Sequence, residues 1–262
     1  MMRVMSWNVH SLRGTDGRRD PERVARVLED VRPDVAGLQE VGGPVDAGDD
    51  VVDIAALLAR FTGMTSAFGP TMRFRGHPYG NGILSRHPID ATRTYDLSVP
   101  GREPRGCLRA DVDVGGTRVH FFAAHLGLHW RERRRQAAQL LSADILRDTA
   151  LAHPLVLVGD FNSLSNRAGV PRWLRRQLLD CARSARNEAP TFPSRFPMLR
   201  LDHAYVDSAF RVASCEVVRS PLARRASDHL PLVVELELLP SARRPPVPRP
   251  IEAAGVRTVV RG

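Results

Sequence analysis

The sequence predicts an α/β fold of two sheets packed face to face with helices covering them outside. Three observations carry this: apolar runs of strand length fill both halves of the chain, each half also holds amphipathic helices, and polar residues recur where strands run out. Asn8 follows Val4 to Trp7, Glu40 follows Val35 to Gln39, and His125 follows Val119 to Ala124. Asp160 and Asn162 follow Leu155 to Gly159, while Asp202 and the pair Asp228-His229 complete the set. Strand ends of an open α/β sheet converge on one crevice, so residues spread over more than 200 positions can form one site.

The elements follow in order. A strand ends at Asn8, and Asp20-Pro21-Glu22 starts a helix with Asp as N-cap and Pro at the first helical position. Val24, Val27, Leu28 and Val31 mark its apolar face, and a strand to Glu40 comes next. Gly42 to Asp50 is a loop, and Val51 to Arg60 is a second helix. Shorter strands are expected over Ser66 to Phe74, Gly82 to Ser85, Ala91 to Leu97, Cys107 to Val114 and Thr117 to Ala124, with Gly115-Gly116 as a hairpin turn. Trp130 to Thr149 is expected to be the longest helix, burying Ala137, Leu140, Leu141, Ala143 and Ile145. A strand over Leu155 to Asp160 and a helix over Val170 to Leu179 come next, then strands over Leu201 to Val206, Phe210 to Val218 and Pro231 to Leu238.

At 262 residues and 43% hydrophobic, the chain can bury one large core, and site residues from both ends argue for one domain, residues 1–239. The Pro/Arg-rich segment 240–262 cannot build a core and is expected to be a flexible tail. Cys107, Cys181 and Cys215 form neither a disulfide framework nor a metal knuckle. With no apolar run near the ~18 residues of a membrane span, a cytoplasmic monomer is expected. The net charge of +9 suits a phosphate-bearing partner. Yet all the basic residues are Arg, a compositional bias, and the tail's five arginines and one glutamate carry four of those charges.

Glu40 at a strand end offers hard oxygens to Mg2+ or Mn2+, or is a solvated loop acid. Asn8 admits the same choice, or caps a turn. In Gly159-Asp160-Phe161-Asn162 the polar side chains can share one side, Asp160 taking a proton from water and Asn162 donating to a phosphate; a structural turn competes on even terms. His229, beside Asp228 and with Asp202 as an orienting partner, can be held as an imidazolium facing a phosphoryl oxygen. The absence of His-Glu-x-x-His or Cys/His clusters argues against a zinc hydrolase, and there is no P-loop.

Trp7-Asn8, Leu38-Gln39-Glu40, His125-Leu126, Gly159 to Asn162, Arg200-Leu201-Asp202 and Ser227 to Pro231, in this order, resemble the endonuclease/exonuclease/phosphatase superfamily over residues 2–238. The resemblance implies a DNase I-like four-layer α/β/β/α sandwich and a hydrolase that uses Mg2+ or Mn2+ to cleave a phosphoester by an activated water. It implies Glu40, Asn8 and Asp228 at the metal, Asp160 on the water and Asn162 on the phosphate. It also implies His229 as transition-state stabiliser oriented by Asp202, and His125 at the scissile phosphate. His10 stands where abasic-site endonucleases carry Asp, which argues against that specificity. No acid is identified that would partner His125.

The expected substrate is a phosphodiester, first of all DNA cleaved by a nuclease; a phospholipid or inositol-phosphate phosphoesterase is the alternative, and a non-catalytic scaffold ranks last. Arg131 and Arg134 at a helix start oppose the macrodipole and hint at a bound anion, with a solvated charged face as the competitor. Arg195, between two aromatics in Pro190 to Pro197, is a further substrate-binding candidate.

Overall fold

A computed structural model of the protein describes residues 1–43, 53–151, 154–164 and 169–239. Two six-stranded sheets stack face to face. The first has the order β11-β12-β1-β2-β4-β3, from β1 (Met2–Asn8), β2 (Val35–Gly42), β3 (Thr65–Phe74), β4 (His77–Ser85), β11 (Phe210–Val217) and β12 (Leu232–Leu238). The second has the order β5-β6-β7-β8-β10-β9, from β5 (Ile89–Asp96), β6 (Gly106–Val114), β7 (Thr117–His125), β8 (Leu155–Asp160), β9 (Leu179–Asp180) and β10 (Asp202–Val206). Among the described residues only β1–β2 and β7–β8 pair in parallel; the other strand pairs are antiparallel.

Alternation along the strands fills three apolar layers. Val4, Val35, Ile83, Phe121, Ala123, Val156 and Val158 meet between the sheets. On the outer face of the first sheet, Met5, Trp7, Ala36 and Leu38 pack under α1 (Pro21–Val31), α2 (Ile54–Thr62) and α6 (Pro221–Ala226). On the outer face of the second, Phe122, Ala124 and Leu157 pack under α3 (Trp130–Leu140) and α4 (Gly169–Leu174). The result is the expected α/β/β/α sandwich. Asp20 caps α1 by accepting from Arg23 N, with Pro21 at its first position, and Gly115 and Gly116, both at positive φ, close the β6–β7 hairpin.

Some elements differ from expectation. The helix from Trp130 ends at Leu140, not Thr149, and at 11 residues it equals α1 instead of exceeding it. Leu141, Ile145 and Leu146 still reach the core, from a chain of turns, while Ala143 is exposed. The helix instead buries Glu132 and Gln136 beneath the loop before it, where Gln136 Oε1 accepts from Gly127 N at 2.8 Å. The helix expected to Leu179 stops at Leu174, and β9 and α5 (Cys181–Ser184) follow. The second helix starts at Ile54, capped by Asp53, whose side chain accepts from Ala56 N. Most of the expected Gly42 to Asp50 loop, Val51 and the 240–262 tail lie outside the described residues. Among those described, no helix is long and apolar enough to cross a membrane.

Candidate active site

The two parallel strand pairs end side by side, and that sets the geometry. In the second sheet, Asp160 is in register with both His125 and Asp202, so three expected residues sit abreast on β7, β8 and β10. In the first, Asn8 lies beside Gln39, and the β2–β4 pairing slips between Leu38 and Val41. Glu40 lies in this irregularity with φ +56, a conformation sparsely populated by residues with a Cβ, which marks a strained strand end at the site.

Hydrogen bonds join the halves. Asn8 Nδ2 donates to Glu40 Oε1 at 2.9 Å and to Asp160 Oδ2 at 3.1 Å, while Asn8 Oδ1 accepts from His10 N. The segment before β12 is fastened to β1: Ser227 Oγ donates to Asn8 O at 2.7 Å, and Trp7 Nε1 donates to His229 O at 3.0 Å. These bonds aim His229 at β8 and β10. Its Nδ1 lies 2.8 Å from Asp202 Oδ2, and its Nε2 lies 3.7 Å from Asp160 Oδ2. Opposite, His125 Nε2 is 3.6 Å from the same Asp160 oxygen, so one carboxylate oxygen faces two imidazoles.

The imidazoles differ in charge. Burial alone would pull the His229 pKa down, but Asp202 and Asp160 outweigh it and raise it to about 10. Burial holds His125 well below the ordinary histidine value, and the cations Arg105 and His229 reinforce this. Burial, with Asp202 beside it, raises Asp160 to about 7 against the opposing pull of His229. The site therefore holds one imidazolium, one neutral imidazole and one carboxyl group poised near neutrality.

Asp160, Asp202 and His229 bring ligand atoms within 4.8 Å of one another. A cationic His229 already bound to Asp202 is a poor metal ligand, however. Glu40 and Asp160, linked through Asn8, present hard carboxylate oxygens instead, a donor set that fits Mg2+ or Mn2+.

Around these groups lies a cleft of about 660 Å3 lined by Glu40, Tyr79, His125, Asp160, Asn162 and His229, with Arg13, Arg19 and Arg105 among its cations and Phe74, Leu128 and Leu164 among its apolar walls. Asp228 stands beside it, its Oδ1 3.5 Å from His10 Nδ1. Asn162 turns inward: its Nδ2 donates to Leu126 O at 2.9 Å and lies 3.2 Å from His125 Nε2. Arg131, Arg134 and Arg195 are not brought into the cleft. Arg131 lies over the Trp130 ring, Arg134 is exposed, and Arg195 donates to Thr15 O.

Sequence reasoning missed Arg105, whose NH1 reaches His125 Nδ1 at 3.3 Å while pairing with Glu103 at 2.9 Å. Its guanidinium occupies the place where an acid partner of His125 was sought. Tyr79, against Glu40, was also missed, because it does not stand at the end of an apolar run. Phe192, one of the two aromatics of the Pro190 to Pro197 loop, has its ring 4.8 Å from that of His229.

Comparison with known proteins agrees with this fold. The sequence profile of the Endonuclease/Exonuclease/phosphatase family matches residues 5–229. A protein of Escherichia coli (strain K12) described as "Uncharacterized protein YbhP" is 37% identical over 168 residues, which make up 62% of this chain and 64% of the relative, less than two thirds of its length. Among solved structures, an endonuclease/exonuclease/phosphatase from Beutenbergia cavernae DSM 12333 is 27% identical, covering 90% of this chain and 71% of that one with a TM-score of 0.74. The mannosyl-6-phosphatase Bt3783 of Bacteroides thetaiotaomicron VPI-5482, 20% identical over 91% of this chain and 100% of its own, shares the fold with a TM-score of 0.72.

Proposed function

The chain belongs to the endonuclease/exonuclease/phosphatase family, and from that premise we propose that it is a divalent-metal-dependent phosphodiesterase acting through Asp160 and His229. The observation that carries this reading is the placement of Asp160 Oδ2 between a neutral and a cationic imidazole, tied through Asn8 to Glu40. Glu40 and Asp160, with Asn8 and Asp228 beside them, would hold Mg2+ or Mn2+. When bound, such an ion withdraws charge from a phosphoryl oxygen and acidifies water.

The residues supply the rest. Asp160, as carboxylate, takes the proton of the attacking water. His229, kept charged by Asp202, donates through Nε2 to the phosphoryl oxygen on which negative charge grows. His125, neutral and held between Arg105 and Asn162, contacts the scissile phosphate. Asn162 packs beside this ring, its Nδ2 donating to Leu126 O and lying 3.2 Å from His125 Nε2.

The first substrate reading is nucleic acid, making the enzyme a nuclease on DNA; the net charge of +9 and the arginines of the cleft support it. The second is a phospholipid or inositol-phosphate head group, favoured by the apolar side chains at the cleft mouth. Residues 1–239 would be the catalytic domain, working as a cytoplasmic monomer. The activity itself is tested with a soluble diester, bis(p-nitrophenyl) phosphate, in Mg2+ or Mn2+. EDTA should abolish turnover, and Asp160→Asn and His229→Ala should each lower it by about 10^2 to 10^3-fold. Either variant at wild-type rate would refute these roles.

A further inference from the structure

Most of the large apolar side chains left exposed among the described residues stand on the segments that form the cleft. Of ten such residues among those described, six stand on segments that wall the cleft: Phe74, Leu128, Trp130, Leu164, Phe196 and Met198. Phe74 tops the β3–β4 hairpin, which also lines the cleft with Met72 and Tyr79. Leu128 lies between β7 and α3, Trp130 opens α3, and Leu164 lies just after β8. Phe196 and Met198 lie in the loop closed by the Phe192–Leu199 bridge, whose two ends line the cleft. Leu128, Leu164, Phe196 and Met198 are each more than 70% exposed, and Trp130 is 56% exposed. Single exposed apolar residues are ordinary, but a cluster around a cleft marks an interaction surface.

Each aromatic in the group has an arginine next to it in sequence. Arg75 lies 5.5 Å from the Phe74 ring centroid, Arg131 lies 5.2 Å from that of Trp130, and Arg195 precedes Phe196. An aromatic body beside a cationic tip matches the boundary between acyl chains and anionic head groups. Single-stranded nucleic acid would also accept aromatics and arginines, but it stacks on flat rings, and Leu128, Leu164 and Met198 supply none.

We propose that the mouth of the cleft is a docking rim for the surface of an anionic phospholipid bilayer, which brings a lipid phosphoester head group to the site. This rests on the phosphoesterase reading above and deepens its second substrate reading, the phospholipid head group. The apolar side chains would enter the interface while the arginines meet lipid phosphates.

The test uses the full chain and vesicles of equal parts phosphatidylglycerol and phosphatidylcholine, in EDTA so that docking is measured without turnover. Co-sedimentation and a blue shift of Trp130 emission are expected, and Trp130→Phe should remove the shift. Phe196→Ser/Met198→Ser, its fold checked by circular dichroism and thermal melting, should weaken vesicle binding at least tenfold. If that variant does not fold, Trp130→Ser takes its place. Raising salt should weaken binding further, as screening requires. Wild-type chain that stays in the supernatant, or a folded variant that binds as tightly as wild type, overturns the proposal. So does a Trp130 shift produced by a single-stranded oligonucleotide and not by vesicles. Failure of the phosphoesterase reading is a separate outcome, read as absent hydrolysis of the soluble diester.

Discussion

His229 is charged because of two carboxylates, and this fixes the direction of its pH dependence. Its pKa of about 10 in the fold lies above the ordinary 6.5. The stabilisation gained from its proton is therefore complete below pH 6.5 and is lost as pH rises through about 10. Catalysis under the proposed roles needs His229 protonated, so the rate should fall as pH rises through about 10. Asp202 raises His229, so Asp202→Asn should move this alkaline limb to lower pH while reducing the maximum. A pH-rate profile of this variant on a soluble diester is the check; an alkaline limb left at about 10 would show that Asp202 does not hold the proton on His229.

At the scale of elements, the sandwich depends on how closely the sheets approach behind the site. Gly37 of β2 faces the second sheet, and a Cβ there would stand 2.4 Å from Val158 Cγ2, 3.1 Å from Ala123 Cβ and 3.2 Å from Phe121. Gly37→Ala should thus cost about 1–3 kcal/mol by overpacking. Adding Val158→Ala removes the nearest clash, so the double variant should be more stable than the summed single effects by about 1 kcal/mol. Urea unfolding of the four proteins tests it, and strict additivity would refute a direct contact. Strands of this kind were legible because their apolar runs are continuous and their ends are polar. The helix from Trp130 was overread because Leu141 and Ile145 keep a helical spacing that turns can also satisfy. The short helix α6, six residues bearing Arg224 and Arg225, has too little periodicity to announce itself.

For the whole molecule, the site was legible as an order of motifs, and its contacts were not. Asn8, Glu40, His125, Asp160, Asp202 and His229 do meet, because two parallel strand pairs end together and because Ser227 and Trp7 fasten the last motif to the first strand. Arg105, in the loop just before β6, and Tyr79 of β4 join them from segments whose sequence looks ordinary, and no spacing rule reveals a partner that only folding supplies. The last motif ends at Pro231 and β12 at Leu238, so every described layer of the sandwich is complete by residue 239. Residues 240–262 carry four of the nine net positive charges and no site residue. A chain truncated after Leu239 should then melt within about 2 °C of the full protein and hydrolyse the soluble diester at the same rate, since a Pro/Arg-rich segment is too polar to build a core. Its binding to an anionic surface should weaken and become less sensitive to salt, because fewer charges are available to be screened. Calorimetry and a salt titration of vesicle binding measure the two effects separately. A truncated chain that melts much lower would place the tail inside the catalytic domain and move its boundary past residue 239.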